Sequence, residues 1–270
     1  MELMFILVVI FIFILGTIIG SFLNVVIDRI PAGFPLTGRS HCDHCQKELT
    51  PQELIPLLSF LWQKGHCTAC GAKLEWQYPL VELTTGLLFV LAFVRFSSAS
   101  FSLPLSPSPY LLTPNLLFHL FLFSSLLTLA IIDFKTSLLP DIINLPTIVI
   151  SLIFLFIFSP LHIFLTSLIT ALISAFFFWL IIFLTKGRGM GEGDIRLGFL
   201  MGLILGWPKT LIALYLAFFL GAFVALALIA GRKKRFGQTI PFGPFLILAT
   251  FLMMFWGETL QNFWFRMFGF

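Results

Sequence analysis

Long apolar runs separated by short polar breaks dominate this 270-residue chain, and only residues 28–78 form an extended polar stretch. A bilayer crossing takes about 20 consecutive apolar residues. A helix-length window places spans at 3–27, 79–94, 111–132, 142–158, 161–185, 195–207, 211–230 and 242–257. About eight crossings put both termini on the same side. The first run lacks the basic start and small-residue cleavage site of a signal peptide, and it lies between Glu2 and Arg29. It reads as an uncleaved anchor with its N-terminus outside. The weakest span is 195–207, which reaches only about 20 Å at 1.5 Å per residue, against a hydrocarbon core of roughly 30 Å. A re-entrant segment is the alternative, but it would flip the next span and place residues 232–235 outside. A short span in a thinned or water-filled region fits better. Residues 96–115 are rich in Ser and Pro and read as a plain outer connector, and no repeat of fixed period is expected.

The expected fold is all-α, a polytopic membrane helix bundle of about eight spans with a cytosolic loop. Its parts are a first anchor at 1–27, the polar loop at 28–78 and a membrane core at 79–270. Composition supports this. The chain is 59% hydrophobic and 10% charged with a mean hydropathy of +1.05, which excludes a soluble enzyme, a disordered chain and a nucleic-acid binder. The net charge of +4 has a topological meaning instead. Of the 16 Lys and Arg, only Arg95, Lys209 and Arg266 fall outside on this topology, so the 28–78 loop lies in the cytosol. The basic run at 232–235 reads as an anchor on the inner leaflet.

All four cysteines lie in the polar loop, as Cys42-x-x-Cys45 and Cys67-x-x-Cys70. Two close pairs bring four thiolates within reach of one tetrahedral ion, the arrangement of a structural zinc site. Disulfides are disfavoured in the cytosol. His41, His44 and His66 stand beside the cysteines as possible substitutes. Four free thiols are the bland alternative, but zinc would order a loop with too little apolar area to fold alone.

Two short inner loops carry acids, Asp133 through Asp141 and Glu192-Gly193-Asp194. Asp133 ends one apolar helix and Asp194 begins another, and ionisable groups at such depth are functional candidates. Two adjacent carboxyls can share one proton, so that one acts as base toward water and the other as acid toward a scissile amide. Glycines around Asp194 allow close backbone approach or positive φ. Simple helix capping or a place among the headgroups would also account for Asp133, Asp141, Glu192 and Asp194.

The segment Gly20-Ser21-Phe22-Leu23-Asn24-Val25-Val26-Ile27-Asp28-Arg29-Ile30-Pro31 resembles the opening motif of bacterial type IV prepilin peptidases. The resemblance continues through the Cys pairs, Ile55-Pro56-Leu57-Leu58-Ser59 and Tyr78-Pro79-Leu80-Val81-Glu82. It extends to Asp133…Leu139-Pro140-Asp141, the Gly-Met-Gly-x-Gly-Asp run at 189–194, and Ile240-Pro241-Phe242-Gly243-Pro244-Phe245. Arg196 departs from the family's usual Lys but keeps the charge.

The resemblance implies an aspartic endopeptidase within the bacterial cytoplasmic (inner) membrane, with its active site facing the cytosol. Asp133 and Asp194 would be the catalytic pair and 79–270 the peptidase core, whereas Asp141 is a recurrent position outside the pair. Substrates would be type IV prepilins and type II secretion pseudopilins, cut after the Gly that ends a short basic leader and precedes Phe. Family members with the Cys loop also methylate the new N-terminal amine with S-adenosylmethionine.

Glu82 is the one acid placed inside a span, and a paired or functional role stands beside snorkelling to the interface. Asn24 and Arg29 lie near the inner end of the first span, where Arg29 could simply be a stop-transfer charge. Asn24, Arg29 and Glu82 are carried as candidates for substrate or cofactor contact. His119 and His162 read as structural, and the tail 263–268 as an interfacial aromatic anchor. The competing functional class is a transporter or assembly scaffold whose aspartates bind protons or cations. That reading leaves the Cys loop without a purpose.

Overall fold

The computed structural model describes residues 2–97, 113–187, 189–232 and 240–268. Among these, the chain forms helices and two isolated β-bridges. Most of the 96–115 connector, the start of the third span, Arg188 and the basic residues 233–235 lie outside the described residues. The chain divides into two compact units, residues 1–128 and 129–270.

The first unit holds α1 (Glu2–Arg29), a 3-10 turn (Pro51–Leu54), α2 (Leu58–Trp62), α3 (Gln77–Ser97) and most of α4 (Pro114–Thr136). α1 and α3 pack along a glycine seam. A Cβ on Gly16 would lie 2.7 Å from Gly86 Cα, and one on Gly20 would lie 2.7 Å from Glu82 Cα. Backbone contact of this kind is what small residues four apart supply between membrane helices, where hydrophobic burial gives no preference for protein over lipid.

The second unit holds the end of α4 with α5 (Asp141–Phe158), α6 (Leu161–Thr185), α7 (Glu192–Leu205), α8 (Lys209–Ala230) and α9 (Gly243–Phe268). Two of its helices, α5 and, apart from the buried Phe178, α6, are inside out relative to a soluble core. On α5 the buried residues are Asn144, Thr147 and Ser151, while Ile142, Val149 and Ile153 are exposed. On α6, Ser167, Thr170, Ala171 and Ser174 are buried, and Ile169, Ile173 and Phe176 are exposed. Small polar side chains close their hydrogen bonds on the helix itself, as Thr147 Oγ1 does on Ile143 O at 2.8 Å, and so permit tight packing. Large apolar side chains face outward, as a lipid-facing surface requires.

Among the described residues, seven helices are long and apolar enough to cross a membrane. The exception is α7. At 14 residues it covers about 21 Å, and it contacts each of α5, α6, α8 and α9. Asp194, Leu197, Gly198, Leu200, Met201, Gly202 and Leu203 are all buried. Its seam against α6 again uses glycines four apart. A Cβ on Gly202 would sit 2.6 Å from Ala171 Cα, and one on Gly198 would run into the Phe178 ring.

Several helices run past the expected spans, as α4 does in ending at Thr136 rather than 132, and two differences bear on the site and the tail. α7 begins at Glu192 rather than 195 and stops at Leu205, because Gly206 turns the chain at φ 63°. The last helix passes a kink at Trp256 and continues to Phe268, so the expected tail 263–268 is part of it.

Candidate active site and cysteine centre

Asp133 lies in the last turn of α4 and is 5% exposed, and Asp194 lies in the first turn of α7 and is 7% exposed. The structure brings them together within one unit, close enough for the charge of Asp133 to act on Asp194. Asp194 is held from its own helix start, where Gly191 N–H donates to its Oδ2 at 3.2 Å. Asp133 Oδ2 is buried without a hydrogen-bond partner among the described residues. The first residue of α9 lies against it. A Cβ on Gly243 would lie 2.5 Å from that oxygen, so only glycine lets this backbone lie against the carboxylate. Phe242 fixes the approach, with its ring centroid 4.8 Å from Phe218 and 6.3 Å from Phe178.

Asp141 forms an ion pair with Arg196 that ties the start of α5 to the first turns of α7. It is therefore occupied outside the pair. Gly191 and Gly193 have ordinary negative φ, so of the two roles expected for these glycines a positive φ is not theirs. A Cβ on Gly193 would press on Leu139 at 2.7 Å, whereas Gly191 faces open space. Sequence reasoning missed Asn144, which is fully buried with neither amide atom partnered among the described residues. Its signal was an amide inside an apolar run, three residues after Asp141.

The cysteines converge as expected. All four sulfurs lie within 4.8 Å of one another, with Cys42 to Cys70 at 3.9 Å and Cys45 to Cys67 at 4.0 Å. A tetrahedral ion with Zn–S bonds of about 2.3 Å places its sulfurs about 3.8 Å apart, so the four residues fit zinc. The backbone N–H groups of Cys70 and Ala69 hold the Cys67 thiol at about 6, which makes it a thiolate at neutral pH. At Cys70 the Ala72 N–H favours the thiolate, but burial and the neighbouring thiols outweigh it and push that thiol to about 11. A dication removes this conflict among crowded thiolates.

The two halves of the centre share one backbone plan. Cys42 N–H bonds Lys47 O, Gln46 N–H bonds Cys42 O, and Leu49 N–H bonds Ser40 O. Twenty-five residues on, Cys67 bonds Ala72, Gly71 bonds Cys67, and Leu74 bonds Gly65 in the same way. Gln46 and Gly71 take the matching left-handed positions at φ 57° and 72°. The expectation of no repeat is therefore corrected, because His-Cys-x-x-Cys-x-x-x-Leu occurs at 41–49 and again at 66–74. His41 and His66 sit on the two β-bridges, and neither they nor His44 join the cluster of four.

The candidates for substrate or cofactor contact also converge. Asn24, Arg29 and Glu82 all line one cavity of about 550 Å³ in the first unit. Asn24 Nδ2 donates to Tyr78 O at 3.1 Å. Arg29 is more than a stop-transfer charge, since its guanidinium bonds the carbonyls of Pro35, Leu36, Thr37 and Arg39 and shapes the cavity rim. Glu82 does not snorkel. It is 7% exposed and accepts Leu57 N–H at 2.8 Å. His119 keeps the structural role expected of it, stacked on Phe96 at 3.7 Å.

Residues 14–96 match the Bacterial Peptidase A24 N-terminal domain, and residues 120–226 match the Type IV leader peptidase family. A prepilin leader peptidase/N-methyltransferase of Bacillus subtilis is 34% identical, across 94% of this chain and 97% of that protein. The chain belongs to the type IV leader peptidase family. Further members of the family that bear the same name are similar over most of their length. That of Aeromonas hydrophila is 33% identical over 93% of this chain and 91% of its own, and that of Pseudomonas aeruginosa is 31% identical over 95% and 93%. No solved structure matches the chain. Both family matches end short of α9, so Asp133 lies within the matched residues and Gly243, which packs against it, lies beyond them.

Proposed function

We propose that this protein removes the leader from type IV prepilins and type II secretion pseudopilins, then methylates the new N-terminal residue. The observation that supports the reading is that two buried carboxyls, Asp133 and Asp194, stand within electrostatic reach of each other in a chain of this family. In this account Asp133 and Asp194 are the catalytic residues. One carboxylate takes a proton from water, whose oxygen adds to the carbonyl carbon of the bond after the leader's Gly. The other carboxyl gives its proton to the carbonyl oxygen. The tetrahedral intermediate then collapses as the C–N bond breaks and the departing nitrogen is protonated. Burial excludes bulk water, and Gly191 N–H and the Gly243 backbone fix where the carboxylates stand.

The site faces the cytosol of a bacterial inner membrane, an assignment supported by the one-sided placement of Lys and Arg. Cys42, Cys45, Cys67 and Cys70 hold one zinc ion, which orders the loop. S-adenosylmethionine supplies the methyl group when bound. We assign the parts as the sequence suggests, an anchor at 1–27, the methyltransferase-associated loop at 28–78 and the peptidase core at 79–270, with α3 of that core packed on α1 in the first unit.

Incubating the purified protein with one prepilin and S-adenosylmethionine tests the reading by mass. Loss of the leader mass followed by gain of one methyl group supports both activities. An intact prepilin under conditions where the protein stays folded would leave the transporter or scaffold reading in its place.

A further inference from the structure

We propose that the cavity of the first unit, floored by Ser21 and Glu82 and roofed by Cys42 and Cys67, binds S-adenosylmethionine with the sulfonium toward Glu82. The proposal rests on the reading of the protein as a methyltransferase and adds where the donor sits. The cavity of about 550 Å³ falls within the roughly 300–1,000 Å³ range of cofactor sites. Its floor lies between α1 and α3, where Gly20 brings the backbone against Glu82. There the Glu82 carboxylate is fixed by Leu57 N–H, and Gln77 Nε2 holds Asp28 Oδ1 at 3.1 Å. Two carboxylates held in place inside a cavity suit a cationic ligand.

The rest of the lining fits the remainder of the molecule. Arg29 and Arg39 also line the cavity; Arg39 is ion-paired with Glu48 at 2.9 Å, so Arg29, which bonds only backbone carbonyls, is the cation that keeps a net charge for the ligand's carboxylate. Phe60, braced by Trp76 at 5.1 Å, and Tyr78 offer aromatic faces to an adenine ring or to the sulfonium itself. Cys42 and Cys67 line the same cavity, so zinc on the four cysteines would hold one of its walls. Glu82 also provides a charge test. Methyl donation turns the sulfonium into a neutral thioether, so a carboxylate aimed at sulfur favours S-adenosylmethionine over S-adenosylhomocysteine.

Calorimetry on the full-length protein in detergent reads this directly. Wild type should bind S-adenosylmethionine more tightly than S-adenosylhomocysteine. Glu82→Gln keeps an acceptor for Leu57 N–H but removes the charge. It should weaken the first ligand by roughly ten-fold or more, with far less effect on the second. Equal weakening of both, or none, overturns the assignment of Glu82. A photoreactive 8-azido analogue of S-adenosylmethionine on wild type keeps the test independent of the variant's folding. Label on peptides containing residues 34–43 or 59–63 supports the cavity, and label confined to residues 129–270 overturns it. Wild type that binds neither ligand and adds no methyl, while still removing the leader, would remove the methyltransferase reading itself. A raised KM for prepilin in Glu82→Gln with unchanged donor binding would assign the cavity to the basic leader instead.

Discussion

Adding one methyl group at Gly243 should disable the peptidase. In Gly243→Ala the new Cβ would stand 2.5 Å from Asp133 Oδ2 and 3.2 Å from its Cγ. Carbon–oxygen contacts settle at about 3.3 Å or more, so something must give by about 0.8 Å. Leu139 Cδ2, at 3.5 Å, closes one direction, and the packing of Phe242 on Phe178 and Phe218 resists retreat of the backbone. The carboxylate is the softer partner, and displacing a catalytic group by about 1 Å costs on the order of 100-fold in rate. Overpacking of this kind also costs about 1–3 kcal/mol of stability. Single-turnover cleavage of a prepilin, followed by mass, should show that fall in rate with a modestly lowered thermal midpoint. Gly221→Ala is the control for an added methyl in the same unit, since its Cβ would meet Phe242 and Phe245 at ordinary distances of 3.5 and 3.6 Å. Gly243→Ala cleaving as fast as Gly221→Ala would refute the placement of Asp133 at the reaction.

Other outcomes follow from the same geometry. Cys67→Ser should leave the purified protein without zinc by metal analysis and impair methylation while leader removal continues, because the Asp pair lies in the other unit. Gly202→Leu would drive a side chain into the α6 backbone at Ala171 and should sharply lower the thermal midpoint, whereas Gly202→Ala should cost less. Glu53 is held at about 2, below its ordinary 4.5, by Thr50 N–H, the Thr68 hydroxyl and the Lys47 ammonium. A depressed carboxyl stabilises the folded loop above the ordinary value and loses that contribution as pH falls through its folded one. Thermal midpoints of wild type and Glu53→Gln should therefore differ at pH 7 and converge between pH 4.5 and 2.

The spans were legible because lipid demands uninterrupted apolar length, a one-dimensional property. Their ends were less so, since Gly206 and the Trp256 kink act through backbone dihedrals that hydropathy does not encode. Cys42, Cys45, Cys67 and Cys70 were legible from spacing, and Asp133 and Asp194 only through the family motifs. The Asp141–Arg196 pair and the contact of Gly243 with Asp133 were not, because they join residues 55 and 110 positions apart with no local signature. The repeat at 41–49 and 66–74 could have been read directly. It was hidden behind the Cys spacing that both halves share.

The central claim is that Asp133 and Asp194 perform the cleavage together. The direct test is mass analysis of one prepilin after incubation with wild type, Asp133→Asn and Asp194→Asn, each shown to be folded by its thermal midpoint. Asparagine keeps the size of each side chain but cannot exchange the proton. Wild type should remove the leader and both variants should leave it attached. Cleavage by either variant at the wild-type rate would contradict the account.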